Sequence, residues 1–169
     1  MGLYEEIYKL KTLERKGWLD RNCHSKEGRV ESDAEHTFSM AILALEIMSK
    51  EKLDLDQEKV LKMIMYHELG EIDFGDHTPM ENIPMEEKFL QEQKCVARLA
   101  KEYNMPEILS LWEEFEKCET PEARFVKKID KLDNIKQSKI YSQIVDNKKI
   151  FEEFKNNRLD IFNEFHKYI

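Results

Sequence analysis

The segment from Met65 to Pro79 concentrates two histidines and four carboxylate side chains within a few helical turns. His67 and Glu68 are adjacent, and Glu71 follows about one turn later. Imidazole nitrogens and carboxylate oxygens are suitable ligands for a divalent cation that keeps free positions for water and a substrate oxygen. The segment therefore predicts metal chemistry. The alternative is an ordinary hydrogen bond between the imidazole and the carboxylate, with Glu68 on the exposed side.

Two more residues complete a predicted metal site. His36 lies near the start of an apolar helical pattern, and Asp130 lies within a later one. Neighbouring side chains on a helix point about 100° apart, so His67 and Glu68 can flank one ion while the other two approach from different helices. Taken alone, His36 is more often a hydrogen-bonded core residue. The set predicts one divalent ion, held by His36, His67, Glu68 and Asp130.

An anion site is indicated by three arginines, Arg15, Arg21 and Arg29, that lie close in sequence to Trp18. The guanidinium group offers a fork of donors that matches two phosphate oxygens. A single arginine is usually a solvated surface group, but three near one tryptophan favour a site for an anionic ligand.

Helices must bring these residues together, because apolar side chains recur at helical spacing through most of the chain. Ser32 or Asp33 and Thr120 followed by proline are typical helix starts. The predicted helices cover residues 3–16, about 33–50, a segment that begins at Asp54 or Asp56 and includes His67, about 85–103, a short stretch from Pro106, a long stretch from Thr120 that carries Asp130 and Asp133, and 147–168. The fold class is predicted to be all-α, with the metal site at its centre.

Composition limits the organisation and the partners. With 169 residues, 41% of them hydrophobic, the chain is predicted to form one domain over residues 1–169. The net charge of −8 argues against nucleic-acid polymers and anionic membranes as partners. The 3 cysteines form no paired motif, and no segment has the pattern of a signal peptide or membrane span. A cytoplasmic protein is the expectation.

The order of these motifs resembles that of the HD-domain metal-dependent phosphohydrolases, most closely the 5′-deoxynucleotidases. The resemblance extends from about Leu10 to Asp133 and includes the His67–Glu68 pair and the Gly75–Asp76 step. It implies an all-helical homodimer that hydrolyses deoxynucleoside 5′-monophosphates. The expected cofactor is one divalent ion, drawn from Co, Mn, Mg, Zn, Fe and Ni.

The resemblance also implies individual roles. The four metal ligands are those named above, and Glu71 and Asp76 correspond to carboxylates that position or activate the attacking water. Substrate binding is assigned to residues from two parts of the chain: Arg15, Trp18, Arg21, His77 and Thr78.

Glu68 departs from the pattern, because the family takes its name from a His–Asp pair. Glutamate keeps the charge and the oxygen donors but adds a methylene group, so the ion or the side chain must shift. Two other functions stay open at this point. One is a related phosphohydrolase acting on a diphosphate or a diester, and the other is a binding protein that has lost catalysis.

Overall fold

The computed structural model describes residues 2–78 and 81–169, and within these ranges it contains α-helices and no β-strand. The predicted all-α class is confirmed. The helices are α1 (Leu3–Thr12), α2 (Lys16–Leu19), α3 (Asp33–Glu51), α4 (Gln57–Tyr66), α5 (Glu71–Phe74), α6 (Met85–Glu102), α7 (Pro106–Lys117), α8 (Pro121–Ile144), α9 (Lys148–Asn156) and α10 (Leu159–Glu164), followed by a 3-10 turn, His166–Tyr168. Among the described helices, none combines the length and apolarity needed to cross a membrane. Pro79, the last residue of the histidine- and acid-rich segment, lies outside the described ranges.

Helix α8 is the centre of the fold, and α3, α4, α7, α9 and α10 pack around it. Its residues Val126, Ile129 and Leu132 are fully buried, as are Met40 on α3 and Met63 on α4. Burial of this apolar surface is the main force that holds the helices together. Because α3, the end of α4 and α8 meet in one core, their polar residues can converge at its edge.

Predicted capping residues fix where the central helices begin. The Ser32 hydroxyl accepts a hydrogen bond from the Glu35 backbone N–H, and the Glu35 carboxylate accepts one from the Ser32 N–H. Thr120 caps α8 in the same way through the Ala123 N–H, with Pro121 in the first turn. These caps set the starting points from which His36 and Asp130 reach the site.

The first helix is shorter than the sequence predicts, since α1 ends at Thr12 rather than near residue 16. The following backbone is extended, and Glu14 forms an isolated antiparallel bridge with Ser32. The Arg15 N–H donates to the Glu31 carbonyl at 3.0 Å. This pairing of two distant segments ends the helix early and directs Arg15 towards the core.

Helix α4 also ends earlier than predicted, at Tyr66, so that His67 and Glu68 lie in the turn before α5. Gly70 in this turn permits the close approach of α6: a Cβ at this position would lie 2.6 Å from the Glu92 Cβ. Gly75 then ends α5 with a φ of 89° and starts the loop that carries Asp76.

Candidate active site

Two buried imidazole rings and one carboxylate converge at the base of a cleft at the edge of the core, which His67 and Glu68 line. One ligand atom from each of His36, His67 and Glu68 lies within 4.8 Å of the other two. The Glu68 Oε1 atom is 3.2 Å from His67 Nε2 and 3.8 Å from His36 Nε2. Asp130, the fourth predicted ligand, lies 3.3 Å from His36 Nε2 through its Oδ1. We refer to these four residues as the cleft floor.

The tautomers of both histidines are set by acceptors on the far side of each ring. His36 Nδ1 lies 2.8 Å from the Asp133 carboxylate, and His67 Nδ1 lies 2.6 Å from the Ile64 carbonyl. Each acceptor favours the proton on Nδ1, which leaves Nε2 facing the cleft floor. Both Nε2 atoms are buried and form no hydrogen bond with the described residues. A pair of converging, unpartnered imidazole nitrogens fits a metal ion, which would satisfy both.

The carboxylates of the cleft floor favour positive charge at His36. Burial opposes the charged ring, and so does Arg15, but the close carboxylates of Asp130 and Asp133 prevail and raise the pKa of His36 to about 9. Glu68 shows the opposite shift: although burial opposes its ionisation, the adjacent His67 and Arg15 hold its pKa well below the usual range. The floor is therefore an anionic environment that attracts a proton or a metal cation.

Arg15 is engaged within this acidic group. Its Nη1 donates to Glu68 Oε1 at 2.9 Å, and its Nη2 donates to the Asn134 side-chain carbonyl at 3.4 Å. Carboxylate oxygens of Glu31 and Asp33 each lie 3.7 Å away. The side chain is 14% exposed. In this arrangement the Arg15 charge chiefly balances protein carboxylates.

Glu71 and Asp76, the predicted catalytic carboxylates, both line the cleft. Glu71 is buried, and its Oε2 has no hydrogen-bond partner among the described residues. Burial, with the nearby charges of Glu68 and Asp33, raises the pKa of Glu71 well above the usual value. Asp76 Oδ2 accepts a hydrogen bond from the Lys16 N–H at 2.6 Å. The two carboxyl groups therefore differ: Glu71 is desolvated, and Asp76 is held by a backbone hydrogen bond.

The predicted substrate-binding residues lie along the same cleft, but their polar atoms already have protein partners. Arg21 pairs with Glu153 at 2.5 Å. The two ring nitrogens of His77 contact the Glu81 carboxylate and the Phe74 carbonyl at 2.7 and 2.9 Å. The Thr78 hydroxyl donates to Asp20 at 3.0 Å. Their contacts with a substrate stay a prediction.

Trp18 forms the back of the cleft. It is 1% exposed, its Nε1–H donates to Glu31 at 2.8 Å, and its ring stacks on Phe154 at a centroid distance of 4.6 Å. Tyr141 meets it edge-on at 5.3 Å. The aromatic surface nearest to the cleft is therefore shared between Trp18 and Phe154.

Several contacts at the candidate site were missed by sequence reasoning. The orienting role of Asp133 could be anticipated, because it lies three residues after Asp130 on the same helix face. Asp33, Asn134 and Lys88 carried no such signal: Asp33 looks like a helix-capping residue, and Lys88 belongs to a charged helix. In the structure Lys88 lies 3.4 Å from Glu92 and 3.8 Å from Glu71.

The cleft encloses about 820 Å³, which is within the usual range for a small-molecule site.

A model of the HD domain matches residues 7–167. The chain belongs to the HD domain family. It is 34% identical over 155 residues to 5′-deoxynucleotidase HDDC2 of Dictyostelium discoideum, which covers 85% of this chain and 80% of that protein. With human 5′-deoxynucleotidase HDDC2 the identity is 31% over 160 residues, covering 93% and 75% of the two chains.

A solved structure has the same architecture as this HD-domain chain. It is a conserved hypothetical protein from Pyrococcus furiosus, with a TM-score of 0.75 and 31% sequence identity. The superposition covers 95% of this chain and 88% of that one.

Proposed function

We propose that this HD-domain protein is a metal-dependent phosphomonoesterase that releases phosphate from deoxynucleoside 5′-monophosphates. The observation that carries the proposal is the convergence of two unpartnered, buried Nε2 atoms with Glu68 beside a cleft that also contains Glu71 and Asp76. The relatives named 5′-deoxynucleotidase give the substrate class. Homodimeric assembly and a cytoplasmic location, which the resemblance and the composition favour, complete the proposal.

One divalent ion would be held by His36, His67, Glu68 and Asp130. When bound, such an ion supplies positive charge to the phosphoryl group and acidifies water. Glu68 supports this assignment, because its Oε1 already reaches both imidazoles and is fixed there by Arg15 at 2.9 Å. Glutamate, which is one methylene longer than the aspartate of the His–Asp pair, therefore places a carboxylate oxygen between the two histidines.

The protein groups then divide the remaining work. Glu71 takes the proton from the attacking water, because burial and the nearby charge of Glu68 raise its pKa and so make its carboxylate a stronger base. Asp76, held through the Lys16 N–H, positions that water. Attack by water is direct, without a covalent enzyme intermediate, since no serine or cysteine lines the described part of the cleft and its aspartates, Asp76 and Asp130, are assigned to the water and to the metal ion.

Turnover of a nucleotide panel tests the proposal. Purified protein is assayed for phosphate release from deoxynucleoside and ribonucleoside 5′-monophosphates with added Co²⁺, Mn²⁺ or Mg²⁺. A nucleoside diphosphate and a phosphodiester serve as competing substrates. We expect release from the deoxynucleoside monophosphates with at least one ion. Release of phosphate from the diphosphate or diester alone would show that monophosphates are not the substrate class. No release with any ion would contradict an enzymatic function.

A further inference from the structure

Among the described residues, six cationic side chains line the cleft, and four of them are paired with protein carboxylates. Arg15 binds Glu68, and Arg21 binds Glu153. The same holds for two lysines: Lys88 lies beside Glu92 and Glu71, and Lys127 pairs with Glu116 at 2.7 Å. These cations are therefore poorly placed to give their full charge to a ligand.

The remaining two cations are Arg158 and Lys131. Within residues 2–78 and 81–169, neither side chain forms a hydrogen bond or ion pair, although both residues are half-buried. Each of the other five arginines has a carboxylate or carbonyl partner. An unpaired cation that is partly removed from water is costly, so two in one cleft point to a missing anion.

The Phe154 ring holds the Arg158 side chain in place. Its Cζ lies 5.1 Å from the centroid of the Phe154 ring, and Phe154 stacks on buried Trp18. Contact with this ring restricts the guanidinium group before any ligand arrives. Burial removes water from the charge of Arg158 and lowers its pKa by more than the nearby charges of Asp130 and Glu153 raise it. A ligand with negative charge would replace that water.

Lys131 approaches the same space from α8. It directly follows Asp130 and precedes Asn134 by three residues, so it borders the cleft floor on the same helix. A phosphate monoester carries about −1.5 to −2 charges at neutral pH. Two free cations, one with a forked donor geometry, match that charge and shape better than they match a neutral base or sugar.

We propose that Arg158 and Lys131, together with the Phe154 ring that supports Arg158, form an arginine wall that binds the phosphate group of the substrate. This inference rests on the proposed function for the identity of the substrate, but binding of inorganic phosphate tests the wall independently. Arg15, to which the resemblance assigns substrate binding, donates to Glu68 in this structure, and its contact with a substrate stays a prediction.

Equilibrium binding separates the phosphate group from the rest of the ligand. Inorganic phosphate, a deoxynucleoside 5′-monophosphate and the corresponding deoxynucleoside are titrated calorimetrically into the wild type, Arg158→Gln and Lys131→Gln. We expect each substitution to weaken binding of the two phosphate ligands by about tenfold or more and to leave deoxynucleoside binding unchanged. Arg158→Lys, which keeps the charge but loses the fork, should give a smaller loss.

Arg124→Gln is the matched control, since it removes the same charge from a side chain that bonds to the Glu119 carbonyl away from the cleft. Thermal unfolding checks that all variants fold. If the Arg158 variant does not fold, the phosphate affinity of the Lys131 variant tests the inference. Unchanged phosphate affinity in both wall variants, equal weakening for the deoxynucleoside, or no phosphate binding by the wild type would each overturn the inference. Phosphate binding that depends on the wall without any nucleotide turnover would leave the wall standing and reject only the proposed function.

Discussion

The cleft floor and the arginine wall have opposite charge: the floor is anionic and the wall is cationic. On the floor, carboxylates surround two imidazoles whose Nε2 atoms have no hydrogen-bond partner among the described residues. On the wall, the side chains of Arg158 and Lys131 form no hydrogen bond or ion pair with any described residue. Since the floor fits a cation and the wall fits an anion, one cleft offers complementary places for a metal ion and a phosphate group.

The largest effect is expected from Glu71→Gln, which removes the proposed proton acceptor but leaves both sides of this comparison in place. Loss of a general base costs typically 10²–10⁴-fold in rate. We expect kcat for a deoxynucleoside monophosphate to fall by about that factor, with metal content and phosphate affinity close to wild type. Steady-state kinetics and elemental analysis on the same preparation measure this separation. A variant that retains wild-type kcat would exclude Glu71 as the base.

Asp133→Asn tests whether the floor depends on the orientation of His36. The carboxylate lies 2.8 Å from His36 Nδ1 and also accepts the Ser39 hydroxyl at 2.7 Å. Loss of such a supporting contact typically weakens metal binding by about 10–100-fold. Competition with a metal chelator measures this loss, and inorganic phosphate affinity of the wall serves as the internal control. Unaltered metal affinity would show that Asp133 does not position the ring.

Asp33→Asn tests how the buried carboxylates beside the cleft floor affect the stability of the protein. Burial, with the neighbouring charge of Glu68, raises the pKa of Asp33 to about 7. The folded protein therefore keeps this proton to higher pH than the unfolded chain, and stability is lost as pH rises from about 4 to 7.

Asparagine cannot ionise, so the variant should gain stability relative to wild type over that pH range, by about 1–3 kcal/mol at pH 8. Urea unfolding of metal-free protein at pH 4.5 and pH 8 measures the difference. An advantage of the variant that is equal at both pH values would show that ionisation of Asp33 is not its source.

Local signals were sufficient for the framework of the fold. The hydroxyl caps at Ser32 and Thr120 and the apolar spacing of α8 fixed the central helices, and chain order identified the residues of the floor. The early end of α1 was not predictable, because Glu14 pairs with Ser32, a contact between segments distant in sequence. The absence of an ion pair at the Arg158 side chain was not predictable either, because it depends on which carboxylates the other segments of the fold bring near it.

Metal content tests the central claim most directly. Wild type, His36→Ala and the control His24→Ala, an exposed histidine outside the cleft, are stripped of metal, incubated with Co²⁺ or Mn²⁺, desalted and analysed for bound ions. We predict about one ion per chain for the wild type and the His24 variant, and a loss of at least tenfold in affinity for the His36 variant. Equal metal content in all three proteins would contradict a metal site on the cleft floor.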